Sequence, residues 1–329
     1  MDDDALKLRR LAGLATPMTI RVAVTLGLPD RLAEEDASAD TLAAELDVAP
    51  IPLGLLLNHL ETLGIVESTP NGYRTTPFGA NLRADAGNGL ANLMDITTAG
   101  GRGELAFVEL AHSVATGVPG YVRRYGQDFW SDLAEQPRLR ESFDRQMTHR
   151  FYEDIPQIVA GFSWSRFSSI VDVGGGHGSL LAAILQAHTE IRGHLVDLEA
   201  TAAGARRTFD EHGLGDRARV TAGSFFDPLP AGADAYLMFD ILHDWDDEHA
   251  HRILRRCVEA AQPTGRILVI EGIGGMRAGS ESDLSMLVIY GGRERRIDEF
   301  RALAAPHGLA LEEVTALTSA RCLLEFRLV

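Results

Sequence analysis

The sequence predicts an α/β chain: a doubly wound, mainly parallel sheet whose last strand turns antiparallel, behind an N-terminal, mostly helical winged-helix domain. Three observations carry that prediction. From about residue 166 strand-like and helix-like runs alternate, the pattern of a parallel sheet with helices on both faces. The last two strand-like runs, "LALEEVTAL" and "ARCLLEFRLV", have at most "TSAR" between them, too little for a parallel crossover, so they form an antiparallel hairpin. Residues 38 to 64 read as helix, turn, helix, and a hairpin follows them.

The 329 residues are enough for one large domain and a smaller one. An apolar fraction of 45% with 24% charged residues is ordinary for a soluble globular chain. The net charge of -16 opposes attraction to nucleic acid or an anionic membrane. No apolar run approaches a bilayer span, and "MDDDALKLRR" is acidic where a secretory leader is basic. Cys257 and Cys322 lie far apart in apolar-patterned segments, which reads as reduced core cysteines of a cytoplasmic protein.

The expected division is a winged-helix domain over 1–85, a helical middle over 86–165 and the sheet domain over 166–329. In the first, Ser38 or Asp40 caps one helix and Pro50 or Pro52 starts the next. The hairpin is "IVESTPNGYRTTPFG", with Pro70, Asn71 and Gly72 at its tip. A winged helix suggests DNA reading, but residues 38–64 carry no Lys or Arg and four acidic residues, Asp40, Glu45, Asp47 and Glu61. Such a surface has nothing to offer a phosphate, and an apolar winged helix is better suited to burial against another subunit. The middle segment holds the aromatic pair Phe129-Trp130 and a long candidate helix, "RLRESFDRQMTHRFYEDIPQIVAGF", with Met147 in it.

In the sheet domain "SSIVDV" runs into the glycines of "VDVGGGHGSL". Glycines at a strand-to-helix turn let the backbone approach a ligand at a helix N-terminus. The dinucleotide fingerprint fails, because counting from Gly174 and Gly176 its third glycine position is Ser179. What fits is Asp172, Gly174, Gly176 and Gly178 in a D-x-G-x-G-x-G array, with Gly175 inside it. Asp197 ends the next strand, where a carboxylate accepts bonds from both hydroxyls of a ribose. An acidic residue ahead of the glycines suits a cationic ligand better than a pyrophosphate.

"HDWDDEHAH", residues 243–251, holds three histidines and four carboxylates, the side chains of divalent metal sites. Yet "DDEHAHRILRRCVEAA" is an amphipathic helix, with Ala250, Ile253, Leu254, Cys257 and Ala261 on one face. His249 and His251 flank that face rather than converge, and Asp246, Asp247 and Glu248 suit the helix N-terminus. No metal is expected here. His243 differs, lying between a strand and that helix at the carboxyl edge of a parallel sheet, where ligands bind.

These motifs together resemble the class I S-adenosylmethionine-dependent methyltransferases with a Rossmann-like sheet, and the resemblance covers nearly the whole chain. An apolar winged helix, a helical middle, the glycine loop, "LHDWDDEHAHRILRRC", "VIEG" and "GGRER" look like the small-molecule O-methyltransferases of plant phenolic and bacterial polyketide pathways. The motifs also resemble actinobacterial tailoring enzymes that methylate aromatic hydroxyls, naphthoate methyltransferases among them. The resemblance implies S-adenosylmethionine as methyl donor and S-adenosylhomocysteine as product. It implies cofactor contacts at Asp172, Gly174, Gly175, Gly176, Asp197, Leu198, Ser224, Phe225 and Phe226, with Ser224 standing where the family commonly has Asp. His243 matches the general base, and Glu271 of "VIEG" and Glu294 of "GGRER" match the carboxylates that orient it. Phe129, Trp130, Met147, Met286 and Tyr290 would wall an aromatic, polyketide-like substrate. The winged-helix domain would dimerise, giving a homodimer. Rival readings are a family member that keeps the cofactor for hydroxylation or a pericyclic step, and a winged-helix ligand-sensing regulator.

Overall fold

A computed structural model describes residues 3–275 and 280–329 and divides the chain into two compact units, Met1–Leu105 and Ala106–Val329. The first is helical. Ser38 is the cap, its hydroxyl accepting from the Thr41 N–H at 3.1 Å, and the helix Ala39–Leu46 follows. Proline opens the next helix at Pro50, where a missing N–H costs no bond, and that helix runs to Thr62. Strands β1 (Val66–Thr69) and β2 (Gly72–Thr75) form the antiparallel wing. Leu28, Leu32, Leu42, Leu53, Leu57 and Leu60 fill the core of this unit.

The second unit holds a seven-stranded sheet. Its strands are β3 (Ser169–Val173), β4 (Arg192–Asp197), β5 (Ala218–Ala222), β6 (Ala235–Phe239), β7 (Arg266–Glu271), β8 (Leu309–Ala316) and β9 (Cys322–Leu328). The order is β5-β4-β3-β6-β7-β9-β8. All pairs from β5 to β7 are parallel, whereas β9 lies antiparallel to both β7 and β8. The closing hairpin therefore inserts its second strand beside β7 and leaves β8 at the edge. Side chains alternate between two cores. Tyr236, Met238, Ile267 and Val269 enter one, and Ala235, Leu237, Leu268 and Ile270 the other. Both faces are covered, so these strands read as continuous apolar runs.

The chain order reverses at β3, which lies between β4 and β6, and ligands of open α/β sheets bind outside the carboxyl ends at such a point. One expectation is corrected: "RLRESFDRQMTHRFYEDIPQIVAGF" is two helices, Pro137–Phe151 and Asp154–Ala160. Pro156 has no N–H for the Tyr152 carbonyl four residues back, so the first helix ends there. The helix after "HDW" spans Asp247–Ala260 and buries Ala260, not Ala261, beside Ala250, Ile253, Leu254 and Cys257.

Candidate active site

At the carboxyl edge of β3, β4 and β6 lies a cavity of about 310 Å³ within the second unit. Of the expected residues, Trp130, Met147, Asp172, Gly174, Gly175, Gly176, Asp197, Leu198, Ser224, Phe225, Phe226, His243 and Tyr290 line it. Glu271 and Glu294 lie just behind His243, buried at 0% and 7% exposure. Phe129 and Met286 are buried and do not line the cavity. Phe129 instead packs edge-on against Trp130 and Tyr290 and fixes those rings from behind. Met286 opens a π-helical turn that ends at Tyr290.

One half of the cavity is built on β3 and β4. Both Asp197 carboxylate oxygens are held by backbone donors, Oδ2 by the Gly176 N–H at 2.9 Å and Oδ1 by the Leu198 N–H at 2.7 Å. Burial nevertheless raises its proton affinity. Asp172 is fully buried, and burial followed by the charge of Asp197 pushes its pKa up to about 7. Its Oδ2 has no hydrogen-bond partner, and a Cβ on Gly175 would stand 2.4 Å from that oxygen. A buried, unpaired carboxylate beside a close backbone turn is what a cationic ligand would satisfy. The Ser224 hydroxyl accepts the Phe226 N–H at 3.2 Å and so shapes the turn that presents Phe225.

The other half is built around His243. At the end of β6, Asp240 takes a positive φ of 49°, a left-handed turn that aspartate tolerates, and a short 3₁₀ turn Leu242–Asp244 follows. Glu271, at the end of β7, accepts the Leu242 N–H at 2.5 Å and the His243 N–H at 3.2 Å. It holds the backbone of the turn. Glu294 is the carboxylate on the ring, its Oε1 lying 3.1 Å from Nδ1. Asp244 Oδ1 stands 3.5 Å from Nε2. Burial acts to lower the imidazole pKa, but Asp244, Asp240, Glu294 and Glu271 outweigh it and push it up to about 10. Burial in turn raises Asp244 and Glu271 to about 7 each.

"GGRER" acquires a packing reason here. A Cβ on Gly292 would meet the His243 carbonyl oxygen at 1.9 Å. Arg295, 1% exposed, donates to the Leu242 and Trp245 carbonyls at 2.6 and 2.8 Å and to Asp247. It cages the turn from outside. Sequence reasoning missed Asp240, Asp244 and Arg295. It also missed Arg140, Asp144 and Thr201, which meet beside the cofactor half, Asp144 accepting from Thr201 at 3.0 Å and Arg140 at 3.3 Å. Asp244 had a signal in its adjacency to His243. The others had no motif to mark them, although Asp240 stands three residues before His243 and Arg295 follows Glu294.

The rest of "HDWDDEHAH" diverges. Asp246 caps its helix, accepting the His249 N–H at 2.9 Å, while His251 contacts His307 at 2.9 Å. Among the described residues no three His, Cys, Asp or Glu side chains converge as metal ligands.

Fold and cavity define an α/β enzyme of the doubly wound class, with a carboxylate-rich ligand cradle at one end and a buried, carboxylate-ringed histidine at the other. The chain belongs to the O-methyltransferase family: the O-methyltransferase domain model matches residues 107–310 and the O-methyltransferase dimerisation domain model matches residues 8–85. It is 47% identical over 306 residues to 2,7-dihydroxy-5-methyl-1-naphthoate 7-O-methyltransferase of Streptomyces carzinostaticus, covering 92% of each chain. It is 41% identical to aclacinomycin 10-hydroxylase RdmB of Streptomyces purpurascens, covering 92% of this chain and 84% of that one. Among solved structures, the O-methyltransferase NcsB1 from neocarzinostatin biosynthesis, in complex with S-adenosylmethionine and 2-hydroxy-5-methyl naphthoic acid, superposes with a TM-score of 0.92 at 44% identity, covering 98% of both chains.

Proposed function

We propose that this protein is an S-adenosylmethionine-dependent O-methyltransferase acting on a phenolic hydroxyl of an aromatic, polyketide-like molecule, with His243 as general base. The observation that carries the reading is the His243 turn. A buried imidazole has Nδ1 tied to Glu294 and Nε2 facing the same cavity that Asp172 and Asp197 line.

The cofactor half fits the group. Asp197 has lone pairs left for ribose hydroxyls, Phe225 and Leu198 offer apolar faces to an adenine, and the unpaired Asp172 suits an ammonium. Arg140 lines this half with a buried, unpaired Nη2, suited to a carboxylate. When bound, S-adenosylmethionine supplies an electrophilic methyl group.

The remaining work belongs to the chain. A phenol has a pKa near 10 and is a poor nucleophile while protonated. With the imidazole raised to about 10, His243 Nε2 takes that proton between groups of matched affinity. Glu294 keeps the proton on Nδ1 and so leaves Nε2 as acceptor. Trp130, Met147, Tyr290 and Trp245 hold the aromatic plane and exclude water.

We further propose a cytoplasmic homodimer formed through the N-terminal domain, and the division into 1–85, 86–165 and 166–329. Among the described residues no single helix is long and apolar enough to cross a membrane. Leu8, Leu11, Leu14, Ile51 and Leu55 leave the first unit with exposed apolar side chains, which a subunit contact would cover.

The 41% identical hydroxylase keeps hydroxylation as a second reading. Mass spectrometry of hydroxyarenes incubated with S-adenosylmethionine separates the two, since products gain a methylene or an oxygen. His243→Ala should lower methyl transfer by about 10²- to 10⁴-fold. Undiminished transfer by that variant across the pH range would remove the general-base assignment.

A further inference from the structure

Arg150 sits on the last turn of the helix Pro137–Phe151 and lines the cavity between Met147, Phe151 and Asp240. Its surroundings leave it with donors to spare. Asp240 is already held by Arg321, whose Nε and Nη2 reach its two carboxylate oxygens at 3.0 and 2.7 Å. Arg321 is buried, also pairs with Asp154 and lies over the Phe151 and Phe239 rings, so its guanidinium is committed. Arg150 stands 3.5 Å from the same Asp240 carboxylate with its side chain 37% exposed. Its charge is also close enough to hold down the proton affinity of Asp244, beside His243 Nε2.

The charge pattern gives this spare guanidinium a job. The carboxylates around His243 outnumber that one protonated ring, and Arg321 is spent on Asp240, so an anionic substrate entering that half needs a further cation to meet it. The other cavity-lining arginine, Arg140, is paired with Asp144 in the cofactor half. Arg150 therefore supplies the cation, and a planar guanidinium binds a carboxylate through two parallel N–H donors.

We infer that Arg150 anchors a carboxylate on the aromatic substrate, making this enzyme selective for hydroxyarene carboxylates over neutral phenols. The inference rests on the methyl-transfer reading above and adds the substrate class and the residue that selects it.

The test compares three acceptors at saturating S-adenosylmethionine: 7-hydroxy-1-naphthoate, its methyl ester and 2-naphthol. The wild-type protein should favour the acid by about 10- to 100-fold in kcat/KM, carried mainly by KM, as expected for a charge-assisted contact. Arg150→Gln should bring the three acceptors to near parity in kcat/KM, and Arg150→Lys should keep part of the preference. Calorimetric binding of the acid to the S-adenosylhomocysteine-loaded protein should weaken in parallel, with an unchanged Tm showing that the variant is folded. An acid preference that survives Arg150→Gln, or a wild-type protein indifferent to the carboxylate, overturns the anchor. Transfer to none of the three overturns the methyl-transfer reading and the anchor with it.

Discussion

His243 shares its surroundings with four carboxylates, and their combined field decides which form of the imidazole exists at a given pH. With its pKa pushed up to about 10, the ring is protonated at neutral pH, while only the neutral ring accepts a proton. The rate with a phenolic acceptor should therefore rise with pH from 7 toward 10. Asp244 is the strongest of the influences that raise it, so Asp244→Asn should move the limb to lower pH. A pH profile of kcat/KM checks this, and a limb that stays put removes Asp244 from the account. Asp172, at about 7, makes a binding prediction. On the proposed cofactor contact its ionised form would attract the ammonium of S-adenosylhomocysteine, so affinity should fall as pH drops from 8 to 6. Calorimetry with Asp172→Asn should show a weaker Kd that no longer varies over that range. His243, Asp172 and Asp197 were legible in the sequence because each lies at or just past the end of a strand, at the edge where ligands bind. Asp240 and Arg295 were not, although they neighbour His243 and Glu294 in the chain, because their partners, Arg321 and the Leu242 and Trp245 carbonyls, reach them only through folding.

The His243 turn is a small element held by contacts that no local pattern encodes. Glu271 holds its amides, Arg295 its carbonyls, and Gly292 packs where any Cβ would collide with the His243 carbonyl. Gly292→Ala must push the turn aside. It should lower kcat by about 10-fold or more while leaving S-adenosylhomocysteine affinity within about 2-fold, since a small displacement of a reacting group is costly. Steady-state kinetics beside a binding titration tests that split, and equal losses in both would mean general unfolding. Helix periodicity read "DDEHAHRILRRCVEAA" correctly to within one residue of its buried face. It did not foresee the break before Pro156, because the pattern continues across it while the hydrogen bond does not.

For the whole molecule, the matched dimerisation domain and the exposed leucines lead to a solution prediction. Sedimentation should give a dimer, and Leu11→Glu with Leu14→Glu, at side chains 76% and 67% exposed, should shift it toward monomer. A wild-type monomer at micromolar concentration would overturn the homodimer. Hydrophobic period, glycine spacing and linker length are local quantities, and they alone specified a doubly wound sheet, its ligand edge, the closing antiparallel hairpin and the histidine to watch. Tertiary structure decided that β9 slots between β7 and β8, that Glu271 grips backbone while Glu294 grips the ring, and that Arg150 comes to line the cavity beside Asp240. The reason is physical. Burial, pairing and proton affinity are set by which charges end up within a few ångströms of one another, and residues 81 positions apart, such as Asp240 and Arg321, become neighbours only when the sheet closes.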